Sequence, residues 1–158
     1  MQVKIIGAGL AGCEAALWLA DHGVQVALYE QKPEKFSPAH KSAGFAELIC
    51  SNSLKAERPD SASGLLKLEM KMMGSHLLDA AETARVAAGG ALAVDRDVFS
   101  TAVTEMVEKH PNITIHREEV TALDERAPVL VASGPLTEGA LAQAVATAAA
   151  LFEADERL

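Results

Sequence analysis

Aromatic residues are scarce in this chain of 158 residues, which contains one Trp, one Tyr and four Phe. Hydrophobic residues nevertheless make up 49% of the sequence, so the core has to be built mainly from aliphatic side chains and alanine. The length suits one domain that can bury a sizeable core.

Long apolar runs and cysteines are also few. No stretch approaches the roughly eighteen apolar residues that a membrane-spanning helix requires, so no span is predicted. A strand pattern starts almost at Met1, which leaves no room for a signal peptide. Because the two cysteines, Cys13 and Cys50, have dissimilar surroundings, we expect no disulfide framework and interpret the protein as cytoplasmic.

Positive charge is in deficit, with 14 Lys and Arg against 22 Asp and Glu and a net charge of −8. This balance argues against a nucleic-acid-binding surface spread over the whole domain, although a local patch or a basic domain outside this sequence stays open. The segment 41–71 is the least acidic. We interpret it as a mixed, solvated surface rather than an RNA-binding patch.

The first thirty residues carry the clearest pattern. Val3–Ile6 is an apolar run typical of a buried strand, and the three glycines Gly7, Gly9 and Gly12 follow with G-x-G-x-x-G spacing before a helix predicted from Cys13 to Ala20. Gly7 permits a tight turn, Gly9 lets a pyrophosphate approach the backbone, and Gly12 lets the helix pack close to the strand. The helix N-terminus favours phosphate.

The residues that follow support a dinucleotide site. Gly23 ends the helix, Val24–Tyr29 reads as a second strand, and Glu30 lies near the spacing at which a carboxylate accepts hydrogen bonds from an adenosine ribose. The alternative is an ordinary strand-to-helix turn without a ligand, which does not account for the whole pattern. A carboxylate here repels a 2′-phosphate and disfavours NADP, whereas FAD and NAD both remain possible.

The rest of the chain predicts a doubly wound α/β plan with a mostly parallel sheet. We expect one helix over Leu65–Thr83, disturbed at Gly74, and a second helix from Arg96 to about Lys109 with Asp95 as its N-cap. Strands are predicted at Ile113–His116, Val120–Leu123 and Val129–Ala132, and Thr137 is predicted to cap a last helix through Ala150. Among the side chains, Met70, Met72 and Met73 are expected in the core. Lys32 is expected to be solvated.

Cys50 lies beside Ser51, Asn52 and Ser53. An exposed thiolate with a lowered pKa can add to C6 of a uracil ring and make C5 nucleophilic. The residues alone favour a different interpretation, a buried and inert Cys50 with a polar cap or turn beside it. The interpretation of Ser133-Gly134 is likewise open, because the pair fits either a backbone close to a dinucleotide or a plain turn at the end of a strand.

Five stretches form a recognisable set: Gly7-Ala8-Gly9-Leu10-Ala11-Gly12-Cys13-Glu14-Ala15-Ala16, Ser37-Pro38-Ala39-His40, Phe45-Ala46-Glu47-Leu48-Ile49-Cys50-Ser51-Asn52-Ser53-Leu54-Lys55, Gly89-Gly90-Ala91-Leu92-Ala93-Val94-Asp95-Arg96 and Ser133-Gly134-Pro135-Leu136-Thr137. In order, over most of Met1 to Leu141, they resemble the folate- and FAD-dependent tRNA (uracil-5-)-methyltransferase family. Three departures are Cys13, which we interpret as structural, Gln31-Lys32-Pro33 in place of a methionine-arginine-proline run, and a length far below that of the family.

The resemblance implies FAD as the cofactor, with methylenetetrahydrofolate and NAD(P)H as co-substrates and a T-loop uridine of tRNA as the methyl acceptor. It implies that Cys50 is catalytic, although the step of the reaction in which Cys50 takes part stays open. No metal ligand is predicted. The predicted cofactor-binding residues are Gly7, Ala8, Gly9, Leu10, Ala11, Gly12, Glu30, Ser51, Asn52, Ser53, Ser133 and Gly134.

We therefore expect residues 1–158 to be the N-terminal part of a Rossmann-like FAD-binding domain, incomplete against the family's length, with a mainly helical insertion over 43–95. The parent is expected to be an enzyme, and this piece inactive alone. One alternative is the FAD protein of tRNA wobble-uridine modification, but its Ser-Cys-Asn-Pro run differs from Cys50-Ser51-Asn52-Ser53. Another is a non-catalytic dinucleotide-binding module.

Overall fold

A strand-helix-strand unit opens the fold. The computed structural model describes residues 1–124 and 127–155, with side chains described up to residue 149. The unit consists of β1 (Gln2–Ile6), α1 (Leu10–Asp21) and β2 (Gln25–Tyr29), and β1 pairs in parallel with β2. This confirms the arrangement expected around the glycine motif.

A parallel sheet of four strands forms around this unit. Strands β6 (Ile113–His116) and β7 (Val129–Val131) complete it in the order β6-β2-β1-β7. The sheet grows from β1 through β2 to β6, and β7 then pairs with the opposite side of β1. The predicted α/β class with a parallel sheet is confirmed, and the change of direction beside β1 is where such folds bind ligands.

The predicted strand Val120–Leu123 is wrong, because these residues form no strand. Thr121 and Ala122 are both exposed, so an alternating pattern has no face to bury there.

The segment 43–95, predicted to be an insertion, contains both helices and strands. Its elements are β3 (Ser53–Ala56), α2 (Ala62–Met72), α3 (His76–Thr83), β4 (Arg85–Val86) and β5 (Ala91–Val94), and the strands form an antiparallel sheet in the order β3-β5-β4. A mainly helical insertion was expected here; the two helices lie beside a small antiparallel sheet that was not expected.

The single helix expected over Leu65–Thr83 is in fact two. Gly74 has a φ of +77°, a left-handed conformation that ends the first helix at little cost for glycine. Ser75 caps the second helix by accepting a hydrogen bond from the N–H of Leu78. Because the first helix ends here, Met72 and Met73 are 81% and 71% exposed, and their predicted core positions are wrong. Met70 is partly buried against the core.

Two helices fill the space beside the sheet. Helix α1 buries Cys13, Ala16, Leu17 and Ala20, whose mostly small side chains allow close approach to the strands. Helix α4 (Arg96–Lys109) packs onto α1 and α3.

The predicted cap of α4 is confirmed, since one carboxylate oxygen of Asp95 accepts hydrogen bonds from the N–H groups of Asp97 and Val98. Helix α5 (Gly139–Asp155) starts two residues after Thr137. The hydroxyl of Thr137 lies 2.7 Å from both Ser133 Oγ and Gly134 O, so the cap predicted there is wrong. Over the described ranges, no helix combines the length and apolar character needed to cross a bilayer.

Candidate dinucleotide-binding groove

A groove of about 880 Å³ opens beside the glycine turn. It brings together most of the residues predicted from the sequence: Gly7, Ala8, Gly9, Leu10, Ala11, Glu30, Cys50, Ser51, Ser53, Ser133 and Gly134. Gly12 and Asn52 are not part of its lining. Segments far apart in sequence therefore face one cavity.

The three glycines differ in their surroundings. Gly7 has a φ of +102°, and a Cβ at Gly12 would lie 1.8 Å from the carbonyl oxygen of Gly7. A Cβ at Gly9 would meet nothing within 4 Å. Gly7 and Gly12 thus make the tight turn and the close helix approach, whereas Gly9 leaves open space at the backbone where a phosphate group fits.

Glu30 lies at the turn with its carboxylate nearly buried. One oxygen accepts a hydrogen bond from the N–H of Ala8 and the other from the N–H of Lys32, both at 3.0 Å. These bonds stabilise the charge away from water. Since each carboxylate oxygen can accept more than one hydrogen bond, the group still has capacity for sugar hydroxyls.

The N-terminus of α1 is also suited to an anion. Its N-cap is Gly9, and in the described part of the chain no side chain caps this helix. By contrast, Ser61, Ser75 and Asp95 cap α2, α3 and α4. The first N–H groups of α1 are therefore left for a ligand such as a diphosphate.

The two cysteines occupy opposite environments. Cys13 is fully buried with its Sγ 3.3 Å from the carbonyl oxygen of Ala8, and burial raises the pKa of its thiol to about 12. Its structural interpretation agrees with this position. Cys50 is exposed and lines the groove, so the burial assumed in the inert interpretation is wrong.

The polar residues beside Cys50 join two of the recognisable stretches. The side-chain amide of Asn52 donates to the carbonyl oxygen of Val94 at 3.2 Å, and the N–H of Val94 donates to Asn52 O at 2.9 Å. In the same antiparallel ladder, Ser53 pairs with Ala93. Asn52 thus fixes the Cys50 segment to β5, while Ser51 and Ser53 face the groove.

Lys32 is buried, so the solvated position predicted for it is wrong. Its Nζ donates to the carbonyl oxygen of Gly44 at 2.8 Å and lies 3.5 Å from an oxygen of Glu47. Glu47 also accepts hydrogen bonds from the N–H groups of Lys41 and Ser42. Burial acts to raise the pKa of Glu47, but these two N–H groups and the charge of Lys32 outweigh it and lower the pKa.

Other lining residues were not among the predicted cofactor-binding residues, although Ser37, His40, Leu48 and Leu54 lie within the recognisable stretches. Polar ones are Lys35, Ser37, His40, Lys67 and Glu119, and apolar ones are Leu48, Leu54, Leu66, Met70 and Leu77. At the rim, Lys35 and Glu119 form an ion pair of 2.6 Å. In residues 1–124 and 127–155, no group of three or more His, Cys, Asp or Glu side chains is placed to hold a metal ion.

Three features define a Rossmann-like α/β fold of the dinucleotide-binding type. They are the parallel sheet whose strand order changes direction beside β1, the glycine turn and the buried Glu30. Comparison with known proteins is more specific. A family model described as "Glucose inhibited division protein A" matches residues 2–149, and the chain belongs to this family.

Curated relatives carry the name methylenetetrahydrofolate–tRNA-(uracil-5-)-methyltransferase TrmFO. The protein of that name from Geobacter sulfurreducens is 56% identical over 141 residues, which cover 89% of this chain and 32% of the relative. The protein of that name from Desulforamulus reducens is 54% identical over 145 residues, which cover 92% of this chain and 33% of the relative. The chain therefore spans about a third of the length of the curated relatives it matches.

Solved structures support the fold. The Aquifex aeolicus GidA structure superposes with a TM-score of 0.62 at 17% identity, covering 82% of this chain and 23% of that one. NikD, described as an unusual amino acid oxidase of nikkomycin biosynthesis, superposes with a TM-score of 0.52 at 15% identity. The match covers 85% of this chain and 51% of the NikD chain. At these identities the likeness establishes the fold alone.

Proposed function

We propose that this chain forms the FAD-binding region of a methylenetetrahydrofolate- and FAD-dependent tRNA (uracil-5-)-methyltransferase. The observation that carries the proposal is the identity of more than half of the aligned residues with methyltransferases of that name over about nine-tenths of the chain. The proposed acceptor is a T-loop uridine of tRNA, the co-substrates are methylenetetrahydrofolate and NAD(P)H, and the compartment is the cytoplasm.

The groove suits FAD. The open backbone at Gly9 and the uncapped N-terminus of α1 fit a diphosphate. Glu30 has acceptor capacity left for the adenosine ribose. Because the groove continues from this turn to Cys50 and Ser133, one cavity has room for both halves of a dinucleotide.

The flavin end is assigned to the residues beside Cys50. We place Ser51, Ser53 and the backbone at Ser133-Gly134 against the flavin, with Asn52 holding the segment to Val94. When bound, the flavin supplies the electrons that reduce the transferred one-carbon unit to a methyl group. Cys50, exposed in this groove, is the residue of this chain proposed to act on the uracil, where thiolate addition at C6 would make C5 nucleophilic.

FAD binding by the purified 158-residue chain tests the proposal directly. We expect a yellow protein with the visible absorption of a bound flavin, or saturable quenching of flavin fluorescence when FAD is added to colourless protein. NADP should compete poorly, because the carboxylate of Glu30 would repel a 2′-phosphate. A folded protein that binds no added FAD would contradict the proposal.

Catalysis is expected to need more than this chain, which spans a third of its relatives' length. With FAD, NADPH and methylenetetrahydrofolate supplied, it should bind flavin without methylating a T-loop RNA. Single-turnover formation of 5-methyluridine by the chain alone would refute that part of the proposal.

A further inference from the structure

We propose that Lys32 and Glu47 are positioning residues, which hold the segment carrying Cys50 against the glycine turn. Neither residue touches the reacting atoms in this assignment. The part that Cys50 plays in the chemistry rests on the function proposed above, whereas the positioning itself follows from the contacts of the described residues.

The pair lies largely out of solvent. The side chain of Lys32 is 5% exposed and that of Glu47 15%, with Nζ and Oε2 3.5 Å apart. A charge in such a place needs a partner, and removal of one member leaves the other uncompensated. The two side chains, 15 residues apart in the connection between β2 and β3, are therefore held together.

Glu47 also folds the loop that precedes it. Its second oxygen accepts from the N–H groups of Lys41 at 2.9 Å and Ser42 at 3.1 Å. Lys32 reaches the carbonyl oxygen of Gly44 in the same loop at 2.8 Å. The pair thus satisfies three backbone groups of the loop in addition to its own charges.

A third side chain strengthens this arrangement. One Arg117 nitrogen donates to the carbonyl oxygens of Lys32 at 3.1 Å and Ala43 at 2.9 Å, and the guanidinium lies 4.2 Å from the ring centroid of Phe45. The loop is therefore fixed from the β6 side as well as by the ion pair.

The loop is docked directly on the candidate nucleotide site. The N–H of Ala46 donates to the carbonyl oxygen of Ala8 at 2.9 Å. The N–H of the same Ala8 donates to Glu30, whose other oxygen accepts from the N–H of Lys32. These bonds close a ring that runs from Ala8 through Glu30, Lys32 and Glu47 back to Ala46.

Cys50 lies between two anchors on either side of it in the chain. Glu47 precedes it with only two residues between, and Asn52 follows it and is bonded to Val94. Cys50 itself is exposed. A reactive side chain needs both access and a fixed position, and these anchors supply the position.

A nitroxide label on the native thiol measures this positioning. The label should attach to Cys50 alone, because Cys13 is fully buried and its thiol pKa is raised to about 12. In the wild-type chain without nucleotide, we expect an electron paramagnetic resonance spectrum dominated by a restricted component.

Two variants release the loop. Glu47→Ala removes the ion pair and the acceptor for two N–H groups, and we expect the mobile spectral fraction to rise by at least about twofold. Lys32→Met combined with Glu47→Ala leaves no unpaired buried charge, so it should fold even if the single variant does not, and it should show the same rise.

Conservative and control variants separate positioning from general destabilisation. Glu47→Gln keeps an oxygen for Lys41 and Ser42, so it should recover part of the restricted component. Glu105→Gln breaks an exposed ion pair with Lys109 on α4, away from the groove lining, and the spectrum should not change. An unchanged Cys50 spectrum in the double variant, with a native circular dichroism spectrum, would overturn the proposal.

Since these spectra are recorded without FAD, their outcome is independent of flavin binding. A chain that binds no FAD but shows the expected mobility change would contradict the proposed function and leave the positioning role intact. The opposite combination would contradict the positioning role alone.

Discussion

Glu14 on α1 binds the N-terminus of α3 with both carboxylate oxygens. One oxygen accepts from the hydroxyl of Ser75 at 2.7 Å and from the N–H of Leu77 at 3.0 Å, and the other accepts from the N–H of His76 at 3.0 Å. A residue of the glycine-motif helix α1 therefore binds α3 from the segment 43–95.

Glu14→Ala should lower the free energy of unfolding by about 2 kcal/mol, because three hydrogen bonds to a charged, partly buried group are lost. Urea unfolding monitored by circular dichroism measures this. Glu105→Ala is the matched control, since it removes only an exposed pair with Lys109, and no measurable change is expected. Equal stability of Glu14→Ala and wild type would show that the contact contributes nothing.

Glu30→Gln should weaken FAD binding by about tenfold. The amide has one acceptor oxygen in place of two, and its NH₂ group would face the N–H of either Ala8 or Lys32. Fluorescence titration with FAD provides the dissociation constant. Glu57→Gln, which alters a contact with Arg85 away from the groove lining, should bind FAD as the wild type does. Similar loss in both variants would argue against a specific role for Glu30.

Gly9 and Gly12 should respond to alanine in opposite ways. A Cβ at Gly9 meets open space, so Gly9→Ala should fold normally and lose FAD affinity by about tenfold or more through obstruction of the phosphate position. A Cβ at Gly12 would lie 1.8 Å from the carbonyl oxygen of Gly7, so Gly12→Ala should lose about 3 kcal/mol of stability. Melting temperature and flavin titration of both variants separate the two effects, and a destabilised Gly9→Ala would contradict this division.

The buried thiol of Cys13 should make the fold sensitive to alkali. Its folded pKa of about 12 exceeds the ordinary thiol value of 9.0, because burial disfavours the thiolate. Between these two values the unfolded chain releases the thiol proton and the folded chain keeps it, so stability is complete below pH 9 and falls as the pH rises toward 12.

Cys13→Ala isolates this contribution, because it removes the thiol and leaves the other alkaline groups in place. Urea unfolding of both proteins across this range should show a steeper loss of stability for the wild type. Parallel curves would indicate that the Cys13 thiol ionises equally in the folded and unfolded chains.

Local patterns were sufficient to predict the backbone geometry that the first thirty residues contribute to the candidate site. The glycine spacing, the helix and Glu30 are tied to neighbouring residues, so each leaves a signal in a short window of sequence. The same holds for the Asp95 cap, which bonds to N–H groups within three residues.

Contacts between distant segments could not be predicted in this way. Lys32 looked like an ordinary loop lysine because its partner Glu47 lies 15 residues further along the irregular connection between β2 and β3, and no periodicity links the two residues. The exposure of Cys50 depends on the pairing of its segment with β5. The exposure of Met72 depends on the end of helix α2 at Gly74. The burial of Lys32 and the exposure of Cys50 are decided by tertiary packing, whereas Met72 is exposed because of the local helix end at Gly74.

The pairing of Ser53 with Ala93 has a consequence for how this domain tolerates changes in length. Asn52 and Ser53 are fixed to Val94 and Ala93 of β5, so one residue added or deleted between Cys50 and Asn52 would change the distance of the thiol from these fixed points and move it from its present place in the cavity. The same change in the exposed turn around Asp60 would leave the ladder untouched. The spacing from the thiol to the start of β3 is thus under stricter constraint than the much longer excursion through α2 and α3.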